Sequence, residues 1–77
     1  MRQSHSLKAL FVSATRQKLL EVFYGWPKEI FYVRQLTRLV DEEINSVRRE
    51  LTNLTQGAVI IKEVRGNRIY FLINQSG

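Results

Sequence analysis

The last third of the chain contains a turn signal that fixes how two segments must pair. Two apolar, β-branched runs, VIIKEV and RIYFLI, are separated by a short stretch around Gly66 and Asn67. Glycine followed by asparagine between such runs predicts a two-residue β-hairpin turn. This turn sets the register of the whole ribbon, with the pairs Val64–Ile69, Lys62–Phe71 and Ile60–Ile73 on one face and Arg65–Arg68 at the tip.

Upstream of this ribbon the apolar residues follow helical spacing. SLKALF predicts a short N-terminal helix, and SATRQKLLEVFYGWP predicts a longer helix whose candidate N-cap is Ser13. Gly25 and Pro27 supply the stop signals for the longer helix. The apolar and aromatic stretch Ile30 to Val33 predicts a brief strand.

Two further helices precede the ribbon, each with one apolar face. In VRQLTRLV this face is predicted to consist of Val33, Leu36, Leu39 and Val40. In the next helix, about 43–56, it is predicted to consist of Ile44, Val47, Leu51 and Leu54. The aromatic residues between and within these helices are expected in the core or at its edge: Phe23, Tyr24, Trp26, Phe31 and Tyr32.

Seventy-seven residues suit a single domain, 1–77, with a loose arm over 1–5 and a loose tail over 74–77. The chain has no cysteine, and no apolar run has the length of a membrane span. We therefore expect a soluble, cytoplasmic protein that has no membrane association. Its net charge of +5 and pI near 10.1 favour polyanionic partners, although many small domains are equally basic.

From about Leu10 to Ile73 the chain resembles the winged helix-turn-helix family, in particular the ArsR-like transcriptional regulators. SATRQKLLEVF, FYVRQLTRLV, NSVRRELTNL and RGNRIYFLI match, in order, its first core helix, strand plus second helix, recognition helix and wing. The resemblance implies an α+β, mainly α fold: a three-helix core with a short strand and a C-terminal β-hairpin wing, here with a short N-terminal helix added. It also implies sequence-specific binding of double-stranded DNA by a transcriptional regulator.

In such a domain the recognition helix, about 43–56, enters the major groove, and the wing, 64–69, contacts the backbone or minor groove. The family's base-reading positions correspond here to Asn45, Ser46 and Arg49. Further contacts to the backbone or from the wing are expected from Arg34, Arg48, Thr52, Asn53, Arg65, Asn67 and Arg68. Weaker phosphate candidates are Arg16, Lys18 and Lys62.

Two of the assigned sets of arginines also have explanations that do not involve DNA. Arginines beside a glutamate on a helix often form nothing more than a solvated face. Like charges opposite each other across a hairpin repel, so Arg65 and Arg68 predict a bound phosphate, unless their side chains splay into water.

The chain departs from the family at two turns. A small residue or glycine near position 41 and an apolar one near 42 are usual, whereas this chain has Asp41 and Glu42. The glycine that usually precedes the first wing strand comes one place early, at Gly57. Both departures predict altered turn geometry around the recognition helix.

Three acids open the recognition helix: Asp41, Glu42 and Glu43. Carboxylates are favoured at helix N-termini, so helix capping is the main interpretation. Two alternatives stay open: the acids repel phosphate and lower non-specific affinity, or Glu43 accepts from a cytosine amine.

Other functions have less support. His5 has no cysteine or histidine partner, so we expect neither a metal site nor a cofactor, and no set of residues indicates an enzyme. A protein-interaction or dimerisation module without DNA readout is the main alternative, followed by an RNA or single-strand binder. Leu7, Leu10 and Phe11 of the N-terminal helix are the candidate residues for a homodimer interface, with a monomer as the alternative.

Overall fold

Three helices are followed by a two-stranded antiparallel sheet. The computed structural model describes residues 2–75, with side chains described from residue 14 onward. The elements in chain order are α1 (Arg2–Gly25), α2 (Val33–Val40), α3 (Ile44–Gln56), β1 (Ile60–Arg65) and β2 (Arg68–Ile73). The fold is therefore α+β and mainly helical.

The N-terminal region is one helix, so the prediction of two helices was wrong. α1 continues through Ser13, the expected N-cap. A serine inside a helix costs only a few tenths of a kcal/mol, and no glycine or proline lies nearby to break the helix. α1 begins at Arg2, so residues 2–5 of the expected loose arm belong to it; Met1 lies outside the described residues.

α1 ends at Gly25, as predicted, and the chain turns before Pro27 into the segment that leads to α2. The expected strand Ile30 to Val33 is reduced to a single bridge between Phe31 and Phe71. Their backbone groups exchange hydrogen bonds of 2.9 and 2.7 Å. The strand is this short because Val33 already begins α2, whose apolar spacing continues to Val40.

The β-hairpin has the predicted register throughout. Val64 lies opposite Ile69, and the arginines that flank the turn are paired as Arg65 with Arg68. Gly66 has φ 64°, in the left-handed region that a turn of this type requires. One face of the ribbon packs on the helices, and the buried residues on it are Ile60, Phe71 and Ile73.

The core lies between α1, α3 and this face of the hairpin, with α2 packed against one end. Fully buried side chains come from each helix and from β1: Leu19, Phe23, Leu36, Val47, Leu51 and Ile60. Phe23 and Phe31 meet edge to face, with ring centroids 5.7 Å apart. Burying one such large apolar side chain stabilises the fold by roughly 1.5–3 kcal/mol.

Some residues predicted to be apolar core are exposed. Tyr24 is 63% exposed although Phe23 beside it is fully buried, because successive helical residues point in different directions, and Trp26, which follows the end of α1, is 57% exposed. Leu39 is 53% exposed, although it has the spacing of the apolar face of α2. In α3 the predicted face is buried except at its N-terminal residue, Ile44, which is half-buried.

Asn74 and Gln75, the first two residues of the expected loose tail over 74–77, form hydrogen bonds to the rest of the fold. The Asn74 side chain donates to the carbonyl of Ala58 at 2.9 Å. The Gln75 side chain donates to the carbonyl of Pro27 at 2.6 Å. Residues 76 and 77 lie outside the described range.

Two non-glycine residues have left-handed backbone conformations, and each lies at a helix end next to a turn. Asp41 has φ 54° and follows α2, where its N–H donates to the carbonyl of Thr37. Ala58 has φ 61° and follows the end of α3, whereas Gly57 has φ −82°. For a residue with a Cβ the left-handed conformation costs roughly 1–2 kcal/mol.

We expect Ala58→Gly to stabilise the protein. Relief of the left-handed strain outweighs the greater flexibility of the unfolded chain, so the free energy of unfolding should rise by about 0.5–1 kcal/mol in urea denaturation. The matched control is Ala14→Gly, at an exposed position inside α1 that has no left-handed strain to relieve, where the free energy of unfolding should fall by about 0.5–1 kcal/mol. A gain in stability for this control as well would contradict the explanation.

Candidate functional site

A groove runs between the N-terminal end of α2, the outer side of α3 and the β-hairpin. Its two parts join at Val33, Arg48 and Ile69. No carboxylate is among the side chains that line it. Its cations, amide and hydroxyl are contributed by Arg34, Arg48, Thr52, Lys62, Asn67 and Arg68. We call this surface the basic groove.

The basic groove collects most of the residues predicted for backbone contacts, from three separate elements. Two predicted residues do not line it. Asn53 is exposed on α3 outside the groove, and Arg65 lies across the hairpin tip from Arg68. Lys62, a weak candidate by sequence, lines the groove because its β1 position faces Phe71.

The groove cations form no salt bridge with a carboxylate of residues 14–75. Between residues 14 and 75, the salt bridges engage Arg16, Lys18 and Arg65. None of them involves a cation of the basic groove. Since no carboxylate lines the groove either, its positive charge is open to an external anion.

Arg16, a weaker phosphate candidate by sequence, forms a salt bridge inside the fold. Its Nε donates to Glu50 Oε1 at 2.7 Å, and the Glu50 side chain is only 3% exposed. This contact joins α1 to α3. Sequence reasoning missed it, although Glu50 lies three residues after Val47 and four before Leu54, within the apolar face of α3.

Lys18 also serves the fold. Its Nζ donates to Glu42 Oε2 at 2.6 Å, and the Thr15 hydroxyl donates to Glu42 Oε1 at 3.2 Å. The hydrogen bond from Lys18 holds the pKa of Glu42 below its ordinary value, and the same bond raises the pKa of Lys18. α1 therefore holds the turn between α2 and α3 through a charged contact.

Glu43 is the N-cap of α3. Its carboxylate accepts from the backbone N–H of Asn45 at 3.0 Å and of Ser46 at 3.1 Å. These backbone hydrogen bonds, that from Asn45 first, hold the pKa of Glu43 below its ordinary value. The three acids thus have separate structural positions, with capping by Glu43 and not by Asp41.

The predicted base-reading residues lie together on the first turns of α3. Asn45 and Arg49 are exposed and Ser46 is half-buried. The Ser46 hydroxyl contacts Glu43 at 3.4 Å, and the positive charge of Arg49 contributes to the lowered pKa of Glu43. None of the three lines the basic groove, so they form a separate polar surface at the N-terminal end of the helix.

At the hairpin tip the side chains of Arg65 and Arg68 have different contacts. Their mutual repulsion is therefore weaker evidence for a bound phosphate. Arg65 forms a 2.7 Å salt bridge with Glu63, and its guanidinium lies 6.0 Å from the centre of the Tyr70 ring. Arg68 lies 4.9 Å from the centre of the Tyr32 ring. Each arginine is stabilised by an aromatic face, a contact that sequence reasoning missed. Arg68 keeps its position in the basic groove.

The described part of the chain offers neither a metal-binding cluster nor a membrane-spanning helix. Residues there form no group of three or more histidine, aspartate or glutamate side chains that could hold a metal ion. None of the described helices has both the length and the apolar character needed to cross a bilayer. The side chains of His5 and of the proposed dimer residues Leu7, Leu10 and Phe11 lie outside the described part.

Comparisons with protein-family models, with curated proteins and with solved structures return no match.

We expect the Arg16–Glu50 pair to be asymmetric in its effect on stability. Arg16→Met leaves a carboxylate enclosed without its cation, and should lower the free energy of unfolding by about 2 kcal/mol. Glu50→Met should cost less, because the Arg16 side chain is 43% exposed and can be hydrated. The double variant should be more stable than Arg16→Met alone. Equal losses in the two single variants would contradict this interpretation.

Acid should destabilise the protein partly through Glu42 and Glu43. Their pKa values are lowered in the folded state, so their stabilising effect is complete above the ordinary value of 4.5. It is lost as pH falls from 4.5 through the lowered folded pKa values. Thermal melts between pH 7 and pH 3 should therefore show a smaller acid-induced fall in Tm for Glu43→Gln than for the wild type.

Glu29→Gln is the matched control for this pH dependence. Glu29 is exposed and forms no salt bridge with any described residue. This variant should keep the wild-type dependence of Tm on pH. An unchanged dependence in Glu43→Gln would argue that the cap contributes nothing to the acid transition.

Proposed function

We propose that this protein is a winged helix-turn-helix domain, similar to the ArsR-like regulators, that binds double-stranded DNA and regulates transcription. α3 would be the recognition helix and the β-hairpin the wing. The observation that carries the proposal is the basic groove, in which four cations from α2, α3 and the hairpin meet without a carboxylate. We also propose a cytoplasmic location, where a regulator of this type meets DNA.

Two backbone details support the family assignment. The family usually has a small residue or glycine near position 41 and a glycine just before the first wing strand. Here Asp41 and Ala58 occupy these places, and both have left-handed φ values. Although neither residue is glycine, each has the left-handed backbone conformation that glycine adopts most easily. The turns are compatible with the family pattern although their residues differ.

The proposal divides the DNA contacts between two surfaces. Asn45, Ser46 and Arg49 would read base edges in the major groove, where asparagine suits adenine and arginine suits guanine. The basic groove would bind phosphates on the adjacent backbone. Arg34 would act there together with the N-terminal end of α2, because the helix dipole favours an anion at that end.

Glu43 would influence this interface without reading a base. Both of its carboxylate oxygens accept backbone N–H groups of α3, which supports capping as its role. Its negative charge would lie near the DNA backbone and repel phosphate. We propose that it lowers affinity for random DNA, so that correct base contacts are required for tight binding.

A protein-interaction module is the second candidate, and a different surface favours it. Trp26 and Leu39 are more than half exposed and line a shallow cleft between the C-terminal ends of α1 and α2. Exposed apolar clusters of this kind often mark protein contacts. DNA binding would not require this cleft, so the two functions make different predictions.

We expect duplex binding to depend strongly on salt. If the four groove cations each contact a phosphate, the slope of log K against log salt concentration should be about −3.6. Fluorescence anisotropy on a random 20-base-pair duplex between 50 and 200 mM salt would measure this slope. No detectable binding at 50 mM salt would refute the proposal and favour the protein-interaction module.

Individual variants separate the two contact surfaces. Arg48→Ala and Arg68→Ala should each reduce the slope by about one and weaken selected and random duplexes alike. Arg49→Ala should weaken a selected site by about 1–3 kcal/mol more than random DNA. Lys28→Ala is the control, because this exposed cation lies outside the basic groove. Equal losses for Arg48→Ala and Arg49→Ala on both duplexes would contradict base readout by Arg49.

A further inference from the structure

The hairpin carries an exposed apolar pair that the core does not use. Val64 and Ile69 lie directly opposite each other and are 63% and 42% exposed. They belong to the face of the ribbon whose other apolar residues are buried under the helices. The pair extends this face beyond the edge of the core into solvent.

The surroundings of this pair are cationic. Ile69 lines both parts of the basic groove, beside Arg48. Arg68 precedes Ile69 on β2, and Lys62 precedes Val64 by two residues on the same face of β1. An apolar patch bordered by cations that form no salt bridge within residues 14–75 suits a ligand whose surface alternates between anionic and apolar groups.

We propose that the Val64–Ile69 pair packs against deoxyribose rings of bound duplex DNA, between phosphates held by the groove cations. This inference rests on the proposed function and extends it, because it assigns the wing a non-ionic contact in addition to the ionic ones. The carbon atoms of deoxyribose are the apolar surface that lies nearest the phosphates along a DNA strand. Neighbouring cations fix the position of the strand, and the apolar pair fills the space beneath the sugar.

The physical consequence is a part of the binding free energy that does not depend on salt. Contacts to phosphate weaken as salt rises, because bound counterions are released less favourably. The binding free energy gained by removing apolar surface from water is not reduced by moderate salt in this way. The two kinds of contact can therefore be separated by measuring affinity at several salt concentrations.

The experiment compares Val64→Thr, Ile69→Thr and the double variant with the wild type on one duplex. Threonine retains the β-branched shape and the strand preference, so the hairpin should be preserved. Ile61→Thr is the matched control, since Ile61 is 41% exposed but occupies the alternate position of β1, on the other face. Thermal melts of all variants establish that they are folded.

We expect each wing variant to weaken binding about fourfold at every salt concentration, with an unchanged salt slope. The double variant should lose about 15-fold if the two contacts are additive. Ile61→Thr should bind like the wild type. A salt-independent loss confined to the wing variants would support the sugar contact.

Several outcomes would overturn the inference while leaving the proposed function in place. These are wild-type affinity in the double variant, an equal loss in Ile61→Thr, or a change in salt slope that accounts for the whole loss. Sedimentation at the protein concentrations used tests whether the pair instead joins two copies of the chain. A monomer–dimer equilibrium that disappears in the double variant would assign the pair to self-association. Failure of the wild type to bind any duplex would instead refute the proposed function.

Discussion

The carboxylate of Glu50 is enclosed on the core side of α3, and the guanidinium of Arg16 on α1 is the cation that compensates it. An enclosed carboxylate is costly without such a partner, so α3 can pack in this orientation only while α1 supplies the charge. A second contact, between Lys18 and Glu42, holds the turn before α3 to the same helix. α1 thereby fixes the side of α3 that faces the core, and with it the side that remains outside.

This arrangement separates the charges of the molecule. Three of the four carboxylates in the α2–α3 turn and α3 have structural contacts: Glu42 and Glu50 bind α1, and Glu43 caps α3. The cations of the basic groove have no such partners among residues 14–75 and lie together at the hairpin side of α3. A net charge of +5 alone says little, because many small domains have it. The support for the proposed polyanionic partner is that four cations line one groove without a carboxylate.

The hairpin was predictable residue by residue, because a glycine–asparagine turn determines the register and leaves no choice of pairing. The apolar faces of α2 and α3 followed from periodicity, except where a position lies at the edge of the core, as Leu39 and Ile44 do. The predicted helix start at Ser13 was wrong. Serine is a favoured N-cap, but it also occupies a helix interior at a cost of only a few tenths of a kcal/mol. Periodicity predicts which face of a helix or strand is buried. The residues at which the element begins and ends depend on conformational preferences that differ by only a few tenths of a kcal/mol.

The sequence predicted most of the basic and polar residues of the candidate site. It did not predict which basic residues form salt bridges inside the fold. Arg34, Arg48 and Arg68 could be proposed from the sequence, with Arg16 as a weaker candidate, but the sequence did not show that Arg16 has an enclosed carboxylate partner. The difference arises from contacts between residues 34 positions apart along the chain. A carboxylate within an apolar helical face was the available signal, since it requires a cation from another element. Whether a basic residue serves the fold or a ligand therefore depends on where the nearest carboxylate lies in space.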